Sequence, residues 1–182
     1  MKLDLSEIIA RVGMHYAYQV DEPALVDEDL ECTSRITGRL NFTNTGGLLL
    51  VQGELHTRIA LECSRCLVYF EEPIDAPISE QFTLETRSLG PHSRVSHVVV
   101  EEDENPSAGR LFSGNVLDLT ELLRQTITVA APLQPLHDPQ CRGLCPVCGQ
   151  DRNEAECSCE SQEVNPAFAK LQELLKGPIS EG

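Results

Sequence analysis

The residues most able to do chemistry in this 182-residue chain are its eight cysteines, because several of them stand at the spacing of metal ligands. Two pairs have the pattern C-x2-C: Cys63 with Cys66 in CSRC, and Cys145 with Cys148 in CPVCG. Two cysteines at this spacing can both bind one tetrahedral ion, and zinc favours thiolate ligands. Gly149 relieves the turn that follows the second pair. The spacing therefore predicts zinc binding.

A closed structural zinc site has four ligands, so each pair needs two more. Cys157 and Cys159 follow the second pair after a short loop, in the sequence CSC. This proximity predicts one all-thiolate site, made of Cys145, Cys148, Cys157 and Cys159.

The pair Cys63 and Cys66 has no other cysteine close behind it, so the fold must bring its remaining ligands. Cys141 can supply one and His137 another, because the spacing H-x3-C lets both residues bind one ion. We therefore predict a second zinc site, made of Cys63, Cys66, His137 and Cys141. Gly143 is predicted to be the flexible point at which the chain leaves one ion and reaches the next.

A different grouping of the cysteines stays open. The two C-x2-C pairs could share one ion as a zinc ribbon, which would leave a poorer second site made of Cys141, Cys157 and Cys159. An iron–sulfur cluster is the alternative to zinc on a four-cysteine site. Cys32, in LECTS, has no partner at metal spacing, and we predict a half-buried strand cysteine there.

The chain is strongly acidic, with 14 Lys and Arg against 29 Asp and Glu and a formal net charge of −15. An acidic surface repels phosphate, and non-specific nucleic-acid binding needs a basic patch that the sequence lacks. The acidic run EEDEN at 101–105 is typical of a solvated loop, and the sharper hypothesis is a docking site for a basic partner.

Neither a secretory signal nor an apolar run of the ~18 residues that a membrane helix needs is visible in the sequence. We therefore expect a cytoplasmic protein. Thiols stay reduced in that compartment, so eight cysteines favour metal binding over disulfides.

The elements that must position the ligands are mainly strands in the first part of the chain. Residues 3–10 fit a short helix or a strand, and residues 13–22 alternate as a strand. Two alternating runs within 34–62 flank the turn TNTGG, which predicts a hairpin whose second strand leads into CSRC. Residues 67–85 predict one or two further strands with prolines at bends or edges. TRSLGPHSR at 86–94 predicts a loop.

The apolar period then becomes helical over 118–130, where Asp118 and Glu121 have capping-box spacing. NPAFAKLQELLKG predicts a final helix. We therefore predict an α+β fold: an antiparallel β-sheet or open barrel followed by a helix, a zinc-binding cysteine-rich segment and a C-terminal helix. The predicted division is a mainly β domain at 1–136, a zinc-binding segment docked on it at 137–160, and a C-terminal helix and tail at 161–182.

No catalytic residue is predicted. A zinc hydrolase needs an open coordination position and a nearby base, and His92 and His97 in PHSRVSH stand at no metal spacing. Closed four-ligand sites are structural. We therefore expect a protein that is not an enzyme and has no small-molecule substrate.

Six stretches form a combination that is quite specific: LDLSEI, LECSRCL, LDLTELLRQTITVAAPLQPL, CRGLCPVCGQDRN, CSC and NPAFAKLQEL. With them the chain resembles the YceD-like family of bacterial and plastid proteins, whose gene commonly lies beside that of a small zinc-containing protein of the large ribosomal subunit. The resemblance implies a role in large-subunit biogenesis, namely the accumulation of 23S ribosomal RNA. Many relatives have a cysteine where this chain has His137, which supports His137 as a ligand. Some relatives lack GLCPxCG, which favours CSRC as the seat of the shared activity.

The resemblance implies a ribosomal role, and the closed sites predict a zinc-stabilised, non-catalytic assembly factor. The acidic charge then favours binding to a basic ribosomal protein or a large-subunit assembly intermediate, with an indirect effect on RNA. One alternative is direct rRNA binding through the zinc knuckles, with Arg65, Arg142 and Arg152 as phosphate contacts. Another is a zinc or thiol redox sensor that uses the two C-x2-C pairs.

Overall fold

The structure is a computed structural model that describes residues 1–27, 30–90, 93–99 and 111–159. The chain divides into two compact units. The first contains Met1–Glu62 and Tyr69–Pro135, and the second contains Cys63–Val68 and Leu136–Gly182. Both C-x2-C pairs therefore belong to the second unit, whereas the predicted division left the first pair in the β domain.

In chain order, the elements that lie wholly within the described residues are β1 (Lys2–Asp4), α1 (Ser6–Ala10), β2 (His15–Glu22), β3 (Ile36–Asn44), β4 (Leu48–Glu62), β5 (Tyr69–Gly90), β6 (Ser93–Val98), β7 (Phe112–Ser113), β8 (Val116–Asp118) and α2 (Leu119–Ala130). All of them lie in the first unit. The second unit is organised in its described part by turns around cysteines.

The first unit is built on an antiparallel sheet with the strand order β2-β3-β4-β5-β6, and a smaller sheet has the order β1-β8-β7. The larger sheet curls into a half-barrel, as twisted antiparallel strands do. The predicted α+β class with an open antiparallel barrel and a cysteine-rich segment is confirmed. The predicted C-terminal helix, the acidic run 101–105 and His92 lie outside the described residues.

The hairpin of β3 and β4 follows the alternation in the sequence, because one face of each strand is buried. Ile36, Leu40 and Phe42 fall on one parity of β3 and are fully buried. The matching face of β4 buries Leu49, Val51, Leu55 and Ile59. β4 then ends at Glu62, so the strand delivers the chain directly to Cys63.

β5 is longer than the sequence indicates. It continues to Gly90 and pairs with β6, where the sequence predicted a loop over 86–94. Turn-forming residues in this stretch are overridden by the ladder that β6 supplies. Pro73 and Pro77 lie in the part of β5 before Leu84, which is the first β5 residue that pairs with β6. Their position agrees with the predicted edge position.

The first unit has two helices that lie wholly within the described residues. α2 is capped by Asp118, whose carboxylate accepts a hydrogen bond from the N–H of Glu121 at 3.4 Å, and it buries the predicted apolar face. α1 is held by the buried Asn44, whose side-chain N–H groups donate to the carbonyls of Ile8 at 2.9 Å and Ile9 at 2.8 Å. Across the described ranges, each helix is too short or too polar to span a bilayer.

Candidate metal centres

The two C-x2-C turns have the same backbone design. In the first, the N–H of Leu67 donates to the carbonyl of Cys63, and in the second, the N–H of Gly149 donates to the carbonyl of Cys145, both at 2.9 Å. The residue after each second cysteine is left-handed, with φ of 62° at Leu67 and 73° at Gly149. A leucine in this region costs about 1–2 kcal/mol that a glycine avoids. Leu67 therefore adds local backbone strain to the first turn, whereas Gly149 avoids this strain in the second turn.

Site 1 consists of Cys63, Cys66, His137 and Cys141, whose ligand atoms all lie within 4.8 Å of one another. The sulfurs of Cys63 and Cys141 are 3.8 Å apart, and the sulfur of Cys66 lies 3.3 Å from Nδ1 of His137. Zinc–sulfur bonds of about 2.3 Å in a tetrahedron place two sulfurs ~3.8 Å apart. The spacing of these donors therefore fits one tetrahedral ion.

The segment 137–144 reaches site 1 through a local turn and two contacts with Arg65. Arg65 lies in the first knuckle, the turn that carries Cys63 and Cys66; the second knuckle is the turn that carries Cys145 and Cys148. The carbonyl of Asp138 accepts from the N–H of Cys141 at 2.9 Å, which turns the chain back toward the site. The guanidinium of Arg65 donates to the carbonyl of Cys141 at 2.9 Å. The carbonyl of Arg65 accepts from the N–H of Leu144, also at 2.9 Å. Arg65 thus fastens the segment that carries Cys141 to the turn that carries Cys63 and Cys66.

Site 2 consists of Cys145, Cys148, Cys157 and Cys159, and their sulfurs also lie within 4.8 Å of one another. Its first two ligands sit on a small hairpin, in which the N–H of Cys145 donates to the carbonyl of Gln150 at 2.8 Å and Leu144 forms a bridge with Asp151. Site 2 is more open than site 1. Cys148 is exposed and Cys157 and Cys159 are half-buried, whereas all three cysteines of site 1 are buried.

The thiols of site 1 differ strongly in pKa. Burial opposes the ionisation of Cys63, but hydrogen bonds from the His137 side chain and from the backbone N–H groups of Cys66 and Arg65 outweigh it and lower its pKa to about 5. Burial and the neighbouring sulfurs of Cys141 and Cys63 raise the pKa of Cys66 to about 11. One thiol of the cluster ionises easily, and its charge opposes the ionisation of the next.

Site 2 also contains one thiol with a lowered pKa and one with a raised pKa. The backbone N–H groups of Cys148 and Val147 lower the pKa of Cys145 to about 6. The hydrogen-bonded Cys148 side chain, together with burial, raises the pKa of Cys159 to about 12. Thiols packed this closely cannot all ionise beside one another without a cation, and a divalent ion removes that repulsion. The donor chemistry of both clusters therefore suits a thiophilic metal ion.

The structure brings the eight predicted ligands together in the first of the two groupings, and not as a shared ribbon of the two C-x2-C pairs. Cys32 belongs to the first unit and to neither cluster, and it is buried rather than half-buried. Burial raises the pKa of its thiol. This cysteine packs in the core beside β4, where it bridges Ile59.

Gly143 has a different role from the predicted one. Its φ is +69°, and a Cβ there would lie 2.8 Å from the carbonyl oxygen of Arg65. The residue is buried. Gly143 therefore allows a close backbone contact between the two knuckles, and it is not a loose spacer.

Asn153 is a residue that the sequence did not single out. Its side-chain nitrogen lies 3.4 Å from the sulfur of Cys141, and its side-chain oxygen accepts from the N–H of Arg142 at 2.7 Å. An asparagine in a polar loop carries no local sign of such a contact. Only the H-x3-C and C-x2-C spacings nearby draw attention to this loop.

The arginines considered as phosphate contacts are partly engaged. Arg65 donates to backbone carbonyls of Cys141 and Pro139. Arg142 forms an exposed ion pair with Glu156 at 3.8 Å. His97, considered for catalysis, lies 3.8 Å from a carboxylate oxygen of Glu85 and belongs to neither cluster.

Comparison with known proteins identifies one family and several related proteins. The pattern that defines the family described as "Large ribosomal RNA subunit accumulation protein YceD" matches residues 51–175. Uncharacterized proteins of Mycobacterium bovis and Mycobacterium tuberculosis are each 30% identical to this chain, over 94% of its length and 72% of theirs. One of Mycobacterium leprae is 25% identical, over 98% of this chain and 79% of its own length. No solved structure gives a significant match.

Proposed function

The chain belongs to the YceD family of large ribosomal RNA subunit accumulation proteins, and we propose that it is a zinc-stabilised, non-catalytic factor in the biogenesis of the large ribosomal subunit. The family description implies the accumulation of the large-subunit RNA. The finer proposal is that the protein binds a basic ribosomal protein or an assembly intermediate, and that the level of 23S rRNA follows from that binding.

The observation that carries the structural role is the number of donors in each cluster. Four ligand atoms within 4.8 Å of one another fill a tetrahedral coordination shell. A filled shell offers no position for a substrate or an activated water, so such an ion holds the chain together and does not catalyse a reaction. The proposed ion is zinc, because thiolate and imidazole donors in a tetrahedron are its usual ligands.

The acidic charge supports a basic protein as the partner. The formal net charge of −15 counts every cysteine as neutral. Seven thiolates carry more negative charge than two dications neutralise, so metal loading makes the protein more acidic still. Charge complementarity of this kind speeds association with a basic surface and disfavours bare phosphate. The reduced cysteines that the sites need are the normal state in the cytoplasm, where this proposal places the protein.

A salt-dependent capture experiment tests the partner. The tagged, metal-loaded protein is mixed with ribosome-depleted lysate, with and without ribonuclease, and washed at low or high salt. We expect a basic large-subunit protein to be retained at low salt after ribonuclease treatment and to be lost at high salt. Recovery of RNA alone, or loss of all protein partners after ribonuclease, would contradict the proposal and support direct rRNA binding through Arg142 and Arg152, both exposed.

Metal release under mild oxidation separates the structural role from a thiol sensor. A structural ion should be retained, because tight binding keeps its thiolates engaged with the metal. Release of both ions by mild peroxide, followed by loss of partner binding and recovery of both on reduction, is the behaviour that a redox sensor would show.

A further inference from the structure

A side chain from the loop of one candidate metal cluster contacts a ligand of the other cluster. Asn153 belongs to the loop between Cys148 and Cys157, which are both ligands of site 2. Its Nδ2 nevertheless lies 3.4 Å from the sulfur of Cys141, a ligand of site 1. The loop that is closed by one cluster therefore supplies a hydrogen-bond donor to the other.

The orientation of the Asn153 amide follows from its other contacts. Its Oδ1 lies 2.7 Å from the backbone nitrogen of Arg142, which can only donate. Its Nδ2 lies 2.7 Å from a carboxylate oxygen of Asp151, which can only accept. The amide can therefore not be turned round, and an N–H group is the one that faces the sulfur of Cys141.

An N–H donor beside a metal-bound thiolate has a known kind of effect. It stabilises the charged sulfur and fixes the direction from which the sulfur binds the ion. Partners of this kind are worth about 10- to 100-fold in metal affinity. Asn153 is accordingly a positioning residue for site 1, because it acts on the ion only through Cys141.

The position of Asn153 depends on the loop of site 2. Asp151 organises the middle of this loop, since its side chain accepts from the N–H of Asn153 at 2.8 Å and its carbonyl accepts from the N–H of Ala155 at 3.1 Å. The ends of the loop carry Cys148 and Cys157, and an ion bound to both closes it. Closing a loop removes conformations from the chain, which favours the single arrangement in which Asn153 meets Cys141.

We propose that metal binding at site 2 strengthens metal binding at site 1 through Asn153. This inference rests on the proposed metal loading of both clusters. The coupling is reciprocal, because an ion at site 1 must favour site 2 by the same factor. The close contact between Gly143 and Arg65 gives the two knuckles a second, independent connection.

Cobalt(II) is the probe that separates the two sites, because cobalt bound by four thiolates and cobalt bound by three thiolates and one imidazole have different absorption spectra. The affinity of site 1 is measured by competition with a chelator in four proteins: wild type, Asn153→Ala, a site 2 knockout (Cys157→Ser with Cys159→Ser), and the combination of all three substitutions. Glu154→Ala, in the same loop, is the matched control.

We expect Asn153→Ala to weaken site 1 by about 10-fold or more and Glu154→Ala to leave it unchanged. The site 2 knockout should weaken site 1 by a similar factor, and adding Asn153→Ala to it should cost little more, because the same contact is already lost. Full additivity of the two losses, or an unchanged site 1 in the knockout, would overturn the coupling.

A measurement on the wild-type protein alone guards against a variant that fails to fold. Cobalt is added stepwise to metal-free protein and the species are counted by native mass spectrometry. Positive coupling predicts that, when one ion is bound per chain on average, less than about half of the protein is singly loaded, which is the smallest share that two independent sites can give. Independent filling of two sites would refute the coupling but leave the metal proposal standing, whereas failure to bind two ions would refute both.

Discussion

Replacing Gly143 by alanine tests whether the two knuckles depend on their close backbone contact. The new methyl group would lie 2.8 Å from the carbonyl oxygen of Arg65 and 3.1 Å from its Cβ. The left-handed φ of +69° adds about 1–2 kcal/mol for any residue with a Cβ. The overlap adds about 1–3 kcal/mol, because the carbonyl that must move also accepts the hydrogen bond from Leu144.

Gly149→Ala is the matched control, because Gly149 has nearly the same φ, +73°, and no heavy atom within 4 Å of its missing Cβ. Both variants carry the backbone strain, and only Gly143→Ala carries the overlap. The assay is zinc retention against a competing chelator, with circular dichroism to confirm that the strands persist. We expect Gly143→Ala to hold zinc about 5- to 150-fold more weakly than Gly149→Ala. Equal retention in the two variants would refute the interpretation of Gly143 as a contact residue.

Three further predictions follow from the described residues. Because Cys66 and Cys159 have a pKa of about 11 and 12 in the metal-free protein, metal binding at neutral pH must displace at least one proton from each site, so affinity falls as pH falls; calorimetry in buffers of different ionisation enthalpy checks this, and a buffer-independent enthalpy would contradict it. Since Cys148 is exposed while the cysteines of site 1 are buried, a thiol-alkylating reagent should release the ion of site 2 before that of site 1, as followed by the cobalt spectra; release of the site 1 ion first would contradict this prediction. In the first unit, Asn44→Ala should destabilise the fold by about 1–3 kcal/mol, because it removes the buried side-chain donor to the carbonyls of Ile8 and Ile9. Denaturant unfolding measures the loss, the exposed Asn41→Ala serves as the control, and an equal effect of both substitutions would count against this role of Asn44.

The parts of the fold that could be predicted from the sequence are those in which one face is buried. The hairpin of β3 and β4 shows its register through alternating apolar residues, and α2 shows its face through helical spacing and its start through Asp118. The grouping of the candidate metal ligands could also be predicted from their spacing. Four donors are needed per ion, and the two clusters in the structure are those of the grouping that supplies four donors to each.

The remaining features depend on contacts between residues far apart in the chain. The extension of β5 to Gly90 requires the partner strand β6, which residues 86–94 alone do not reveal. The role of Gly143 depends on Arg65, and the role of Asn153 depends on the direction of its amide toward Cys141. Glycine and asparagine are common in polar loops for local reasons, so their types alone do not indicate these contacts.

The most direct test of two separate four-ligand sites is the number of metal ions held by three variants: Cys63→Ser, Cys145→Ser and the two combined. Native mass spectrometry counts the ions, and elemental analysis identifies them as zinc or another metal. Two ions in the wild type, one in each single variant and none in the combined variant is the predicted result, because Cys63 and Cys145 serve different ions. A combined variant that keeps as many ions as either single variant would contradict it, since both cysteines would then have served the same ion.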